Sequence, residues 1–412
     1  MIFPNLSGRR LSVVIVVTLA AMLSSCELPP GGVAYLRGLE GLNKLSNGTV
    51  KRAESATGGE IYSGARSLGV PSQNSSINDM ARMLAGMPAA FGRDSFAQTR
   101  STGAWQAHRA GMDSLWANFS NNRERPISSW SSREIPDLRR SNAVFYPFSG
   151  PDILFAKTFF PSAETYILVG LEGAEPLPPI TSLGSGDIAN GLQGLRHAIH
   201  NLMQFSYFIT ADMKSDLTST RFRGVLPVMM AFLARTGHTI DSVDTIRLDG
   251  SGTPVMVRGG SANGLQIRCR TGLGKNIRVF YFKQDLSNGS MRTGHPLLNF
   301  VSRFGRPPAF VKSASYLMHE GGFSAIRNYL LTGCGAVVQD ASGVPYRHFR
   351  ERGWNVNLYG NYQGTLTIFS EHHQSDLVNA YRAGAGKIPS LDFGIGYLYS
   401  PSTTCLMVGR AR

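Results

Sequence analysis

The chain has 412 residues, with 41 Lys or Arg against 27 Asp or Glu, and its formal net charge is +14. Because 42% of the residues are hydrophobic, neither a disordered chain nor a small disulfide-dependent scaffold is expected. The basic excess favours anionic neighbours through the summed field of the surface.

An apolar segment follows Arg9 and Arg10 and runs from residue 11 to residue 23. Since a helix needs about 20 apolar residues to cross the hydrocarbon core, this segment is too short to span a bilayer. A charged start, a short apolar run and small residues before Cys26 are typical of a signal peptide, predicted here over residues 1–25.

Residues 23–26 read Leu-Ser-Ser-Cys, and this segment resembles the lipobox of bacterial lipoproteins. The resemblance implies cleavage before Cys26, diacylglycerol on its thiol and an acylated amine. In that family an Asp after the Cys commonly signals inner-membrane retention. Because Glu27 stands there instead, the resemblance implies an outer-membrane anchor facing the periplasm. Beyond the lipobox, the chain resembles only uncharacterised bacterial envelope proteins.

Residues 26–77 are rich in Pro, Gly, Ser and Asn and predict a flexible tether behind the lipidated Cys26. The membrane, reached through the lipid anchor, is therefore the first expected partner. An anionic envelope glycan or lipid is a second candidate, given the basic charge, whereas the exported address argues against nucleic acid.

Three cysteines remain after lipidation: Cys269, Cys334 and Cys405. At most one intramolecular disulfide can form among them, with three pairings open. Three buried thiols acting as small apolar side chains are the alternative.

The rest of the sequence predicts an α/β fold. A helical segment, residues 78–140, is expected to pack on an α/β domain, residues 141–412, that holds a mixed sheet with β-α-β units and an antiparallel meander inserted at about 245–285. The predicted helices are 78–88, 101–119, 151–160, 187–213, 226–235, 322–331 and 376–381. The predicted strands are 143–147, 165–171, 246–248, 255–257, 265–270, 277–282, 310–318, 336–339, 365–369, 393–399 and 405–408.

Open α/β sheets bind ligands beyond the carboxyl ends of their strands, so the residues that follow each predicted strand are the candidate site. Carboxylates and a histidine in one cleft act as general acid and base or bind a divalent metal. On this ground the predicted catalytic residues are Asp152, His319, Glu320 and Asp340. His319 and Glu320 precede two glycines, which let a backbone approach a ligand closely.

The predicted ligand-binding residues are Ser149, Ser342, Arg347 and His348. The last three share one turn with Asp340, which is densely polar for a simple connector, although an Asx-type turn explains the same residues. His372 and His373 are neighbours whose side chains diverge, so we assign no metal site, and no cofactor is indicated.

Two functions from different classes remain. The first is a lipid-anchored envelope protein that binds, or binds and hydrolyses, a polar envelope or imported ligand at the strand-end cluster. The second is a non-catalytic assembly or scaffold lipoprotein that contacts a partner through its basic face or through the helix carrying Trp105 and Trp116.

The anchor is directly testable by mass spectrometry of the mature N-terminus. We expect the chain to begin at Cys26, with diacylglycerol on the thiol and an acyl group on the amine. An unmodified Cys26, or residues retained before it, contradicts the predicted address.

Overall fold

The computed structural model describes residues 72–90, 94–177, 179–206, 220–257 and 262–412, all of which belong to one unit. The predicted signal peptide, Cys26 and the tether as far as residue 71 lie outside the described residues. No helix in the described part has the length and apolar character needed to cross a membrane.

A ten-stranded mixed sheet forms the centre of the fold, in the order β4-β3-β5-β6-β2-β1-β7-β8-β10-β9. Its strands are β1 Ala143–Tyr146, β2 Thr165–Gly170, β3 Thr239–Leu248, β4 Pro254–Met256, β5 Gly264–Arg270, β6 Asn276–Lys283, β7 Ala309–Val311, β8 Ala336–Gln339, β9 Asn355–Gly360 and β10 Cys405–Arg410. The five central strands, β6, β2, β1, β7 and β8, are parallel to one another. Antiparallel strands flank them on both sides.

The chain adds parallel strands first on one side of β1 and later on the other side. From β1 the chain adds β2 and then β6 on one side, and it returns to add β7 and β8 on the other. The neighbours β1 and β7 therefore form a topological switch point, the position where open α/β sheets bind ligands.

Helices cover both faces of the sheet. They are α1 Ser72–Leu84, α2 Ala97–Arg100, α3 Gly103–Phe119, α4 Arg125–Glu134, α5 Ile153–Phe159, α6 Ser185–Phe205, α7 Leu226–Arg235, α8 Pro296–Ser302, α9 Ser324–Gly333, α10 Tyr346–Glu351 and α11 Ser375–Ala383. A single π-helical turn, Ser120–Glu124, joins α3 to α4.

Alternation along the strands creates two large cores. On β1, Val144 and Tyr146 point into the core shared with α1 and α3 to α7, whereas Phe145 points into the core shared with α8 to α10. A third, smaller cluster lies under α11. The result is a three-layer α/β/α arrangement, which confirms the predicted fold class.

Several predicted elements are confirmed. The β1-α5-β2 unit and the β7-α9-β8 unit both form with parallel pairing. Helix α7 has the predicted bounds, and Trp105 and Trp130 pack in the core, being 1% and 3% exposed.

Other predictions were wrong in their bounds or type. Helix α1 begins at Ser72, so residues 72–77 are helical instead of tether. Strand β7 ends at Val311 instead of residue 318, because the following residues turn away from the sheet. Residues 365–369 overlap a 3₁₀ helix, Thr367–His372, and residues 393–399 are irregular. Strand β9 was not predicted.

The predicted antiparallel meander forms, and its strands belong to the main sheet. Strand β3 starts earlier than expected, at Thr239. Strand β5 pairs with β3 instead of β4, and β6 pairs in parallel with β2. Strands β3, β4 and β5 therefore lengthen the central sheet without a break.

The packing between the helices and the sheet can be tested at Phe159. Its fully buried ring contacts the rings of Trp130, Phe160, Phe310 and Phe393. We expect Phe159→Ala to lower the free energy of unfolding by about 3–5 kcal/mol in urea denaturation, because it leaves a cavity between helix and sheet. Leu273→Ala, at a fully exposed position, is the control and should change it by less than about 0.5 kcal/mol. A loss below about 1 kcal/mol for Phe159→Ala contradicts this packing.

Candidate functional site

The loops that follow β1, β7 and β8 come together at the switch point. They comprise residues 147–152, 312–319 and 340–345. Hydrogen bonds join the loop after β7 to the loop after β8, and a salt bridge joins it to the loop after β1. The three strand ends therefore build a single site.

The centre of this site is the buried ammonium of Lys312, directly after β7. Its Nζ lies 3.1 Å from Oδ2 of Asp152, and the two side chains are 2% and 1% exposed. The same Oδ2 accepts a hydrogen bond from the Tyr146 hydroxyl at 2.9 Å. Oδ1 accepts one from the backbone N–H of Phe155 at 3.0 Å and so caps α5. Burial lowers the pKa of Lys312, while Asp152 opposes this shift.

Two further ionic groups lie beside this pair. Asp340 is buried at the end of β8, and burial raises its pKa, an effect that Lys312 opposes. Arg123 comes from the π-helical turn, and burial lowers its pKa to about 10. It donates to three backbone carbonyls, those of Gln204, Gly394 and Tyr399. We call Asp152, Lys312, Asp340 and Arg123 the buried charge set; it contains two acids and two bases.

The backbone after Lys312 is strained. Ser313, Ser315 and Tyr316 have φ values of 54°, 51° and 54°, in the left-handed region that costs a non-glycine residue roughly 1–2 kcal/mol. Such conformations persist only where the surroundings hold them, and they concentrate at functional sites. We call residues 312–319 the strained loop.

Side chains from other elements hold the strained loop through three successive backbone N–H groups. The N–H of Ser313 donates to Asp340 Oδ2 at 3.0 Å, and the N–H of Ala314 donates to the Ser342 hydroxyl at 2.8 Å. The N–H of Ser315 donates to the Tyr397 hydroxyl at 3.1 Å. Asp340 and Ser342 therefore position the loop through hydrogen bonds.

A small cleft of about 20 Å³ opens beside the strained loop, with space for about one water molecule. Its wall combines the polar or aromatic side chains of Tyr316, Asp340, Tyr362, Tyr397 and Thr403 with apolar ones such as Ile395 and Leu398.

His319 ends the strained loop and lies beside Tyr316. Its ring packs edge-on against Tyr316 and against His372, with centroids 5.1 and 5.4 Å apart. Burial lowers its pKa to about 3, and a hydrogen bond to the backbone of Ala341 opposes this shift. Its Nε2 is buried without a hydrogen-bond partner. The imidazole is therefore neutral at physiological pH.

Glu320 lies apart from the buried charge set. Its side chain is 58% exposed, and its Oε1 is 3.7 Å from His372 Nδ1. Glu371 is equally exposed and 3.5 Å from the other ring nitrogen of His372. Of the four predicted catalytic residues, the structure thus brings Asp152 and Asp340 to Lys312, places His319 against Tyr316 and His372, and leaves Glu320 on the surface.

The predicted binding residues also divide into buried residues and residues on the surface. Ser149 is buried and links β1 to β2, since its hydroxyl donates to the Val169 carbonyl at 3.2 Å and accepts from the Val169 N–H at 3.0 Å. Arg347 is exposed on α10, and His348 contacts Glu351 at 2.7 Å. Only Ser342 of the predicted binding set contacts the strained loop directly.

Sequence reasoning missed Lys312, Tyr146, Arg123 and Tyr397. Lys312 was placed inside a predicted strand that ran to residue 318. A lysine within an apolar run is a signal that was available, because buried lysines require a partner. Arg123 gave no such signal, since its acceptors are carbonyls from distant segments.

The three cysteines are free and buried. Burial raises the pKa of each thiol to about 12, so none is a thiolate at physiological pH. The structure therefore favours three buried thiols over a disulfide between any two of these cysteines. No group of three His, Cys, Asp or Glu side chains in the described ranges is arranged to hold a metal ion.

The chain matches no protein family, no curated protein and no solved structure at a significant level of similarity.

The Lys312–Asp152 pair can be tested by substitution. We expect Lys312→Met to lower the free energy of unfolding by about 3–5 kcal/mol, because it leaves Asp152 buried without a counter-charge. The double variant Lys312→Met, Asp152→Asn should recover part of this loss, since Asn carries no charge and its amide oxygen still accepts from the Phe155 N–H, although its NH2 group replaces the oxygen that accepts from Tyr146.

Lys387→Met, at an exposed position, controls for the side-chain change and should be nearly neutral. Denaturant titration of the wild type, the single variants Lys312→Met and Asp152→Asn, and the double variant gives the coupling energy of the pair. Strictly additive effects of the two site substitutions would show that the pair is not coupled.

Proposed function

We propose that this chain is a lipid-anchored envelope protein whose α/β domain binds a polar ligand at the carboxyl ends of β1, β7 and β8. The observation that carries the proposal is the strained loop at the switch point. Its three left-handed residues are energetically costly, yet hydrogen bonds from the backbone of the loop to Asp340, Ser342 and Tyr397 hold it next to a cleft. The anchor at Cys26 rests on the sequence.

The site does not assemble a serine–histidine pair from the serines Ser149, Ser313 and Ser342. Hydrolysis by a serine nucleophile of that type requires the hydroxyl to lie within hydrogen-bond reach of a histidine. The hydroxyls of Ser149 and Ser342 bond to carbonyl, amide and carboxylate groups, and the buried Ser313 hydroxyl has no partner. None of these three is bonded to a histidine.

A scaffold function would be favoured by a contiguous apolar surface. The exposed large apolar side chains of the described ranges are Leu171, Met256 and Leu273. They lie after β2, in β4 and in the β5–β6 turn, and thus on separate elements. Single exposed apolar residues are normal on a protein surface and indicate no docking site.

Ligand binding is testable by differential scanning fluorimetry of the full chain with neutral sugars, organic acids and amines. We expect at least one compound to raise Tm, because a ligand at a hundred times its Kd adds about 2.7 kcal/mol of stability. Tyr316→Ala removes one wall of the cleft and should abolish the shift.

Tyr329→Ala is the matched control. Tyr329 contacts Phe145 on the opposite face of the sheet, so its loss should lower Tm and leave the ligand-induced shift intact. A shift that persists in Tyr316→Ala, or no shift with any compound, would exclude the proposed site.

A further inference from the structure

We propose that residues 363–373 form a lid over the cleft, and that a ligand reaches the strand-end site only when this lid swings open. The inference rests on the proposed binding function, because it concerns how a ligand enters the same site. Three observations carry it: rings of this segment pack on the cleft wall, its two ends are tied, and the closed cleft holds only about one water molecule. We call residues 363–373 the lid.

The lid covers two of the tyrosines that line the cleft. The ring of Phe369 packs on the rings of Tyr316 and Tyr397, with centroids 4.9 and 5.2 Å apart. The ring of His372 stacks on Tyr316 at 5.5 Å. Phe369 is the one buried side chain of the lid, whose other side chains are half-buried or exposed. A single aromatic ring thus anchors the lid to the cleft wall.

The lid also forms part of the wall directly. Gly364, near the start of the lid, lines the cleft together with Tyr362, and the ring of His373 stacks on Tyr362 at 6.0 Å. The φ of Gly364 is 105°, a conformation that other residues rarely adopt, so the chain can turn sharply where the lid begins. Opening of the lid would withdraw Gly364 from the wall and widen the cleft.

Hydrogen bonds tie the chain down on both sides of the lid. Before it, the N–H of Asn361 donates to the Thr404 carbonyl at 2.8 Å. After it, the buried side chain of Gln374 donates to the Ala341 carbonyl at 3.0 Å and accepts from the Tyr346 N–H at 2.8 Å. The two ends of the lid are therefore fixed points about which the segment between them can move.

Between these ends, ring packing takes the place of hydrogen bonding. Phe369 aside, the residues of the lid make no hydrogen bond to any other element in the described part of the chain. His372 approaches the exposed carboxylate of Glu320 at 3.7 Å. Segments with few buried contacts and few backbone hydrogen bonds to the rest of a protein open at a lower free energy than its core. We therefore expect the lid to open while the sheet stays folded.

The test uses the three free cysteines of the chain as reporters. Cys405 lines the cleft, whereas Cys269 and Cys334 lie in the two large cores. The full chain in detergent is treated with methyl methanethiosulfonate in the absence of denaturant, and peptide mass spectrometry follows each thiol. We expect Cys405 to react at least about 10-fold faster than the other two, because lid opening exposes it while only global unfolding exposes them.

Phe369→Ala removes the buried side chain of the lid. We expect it to raise the rate at Cys405 relative to the rate at Cys269 by about a further 10-fold, because the ring contacts that close the lid are lost. Phe304→Ala is the matched control: it removes a partly buried ring that packs on Phe300 of α8, and it should leave this ratio unchanged. Because both rates come from one protein, a general loss of stability does not mimic lid opening.

Equal rates at all three cysteines would overturn the lid, since the cleft would then open only with global unfolding. A ratio that Phe369→Ala leaves unchanged would overturn it as well, because the thiol would then be reached by another route. The labelling needs no ligand, so the lid can stand when no compound raises Tm and the proposed function fails. Conversely, a compound that raises Tm while all three cysteines react alike would support the proposed function and overturn the lid.

Discussion

The organisation of the strand-end site depends on where the ammonium of Lys312 is held. It touches Asp152 at the start of α5 and the carbonyl of Ser206 at the end of α6, and it lies over the ring of Phe155 at 4.2 Å. One cation thus joins a strand of the sheet to two helices of the same layer. Because an isolated charge is prohibitively costly in such a place, the positions of these partners are mutually constrained.

That constraint explains why the site combines rigidity with strain. The buried charge set fixes the strand ends, and hydrogen bonds from Asp340, Ser342 and Tyr397 then hold the strained loop in a conformation that its own residues disfavour. The polar atoms of the loop that lack partners, Ser313 Oγ and His319 Nε2, are the ones left over once the framework is satisfied.

Local patterns allowed much of the fold to be predicted. The β1-α5-β2 unit was predictable because a buried apolar run, a turn and the N-cap Asp152 lie close together in sequence. The strained loop was not, because its residues read as a continued strand, and only distant groups such as Tyr397 bend it. The grouping of Asp152 with Asp340 followed from the general behaviour of parallel strands. Their shared partner Lys312 could be identified only once β7 was known to end at Val311.

The π-helical turn Ser120–Glu124 has a consequence for how this protein tolerates sequence change. One extra residue per turn rotates everything after it by about 100° relative to a regular helix. Here that offset aims Arg123 at the carbonyls of Gln204, Gly394 and Tyr399. Deleting a single residue from the turn would remove this offset and swing the guanidinium out of register. A length change in one continuous helical segment, far along the chain from the strand ends, would thereby unseat the segments that surround the site, while every other residue of the site stayed the same.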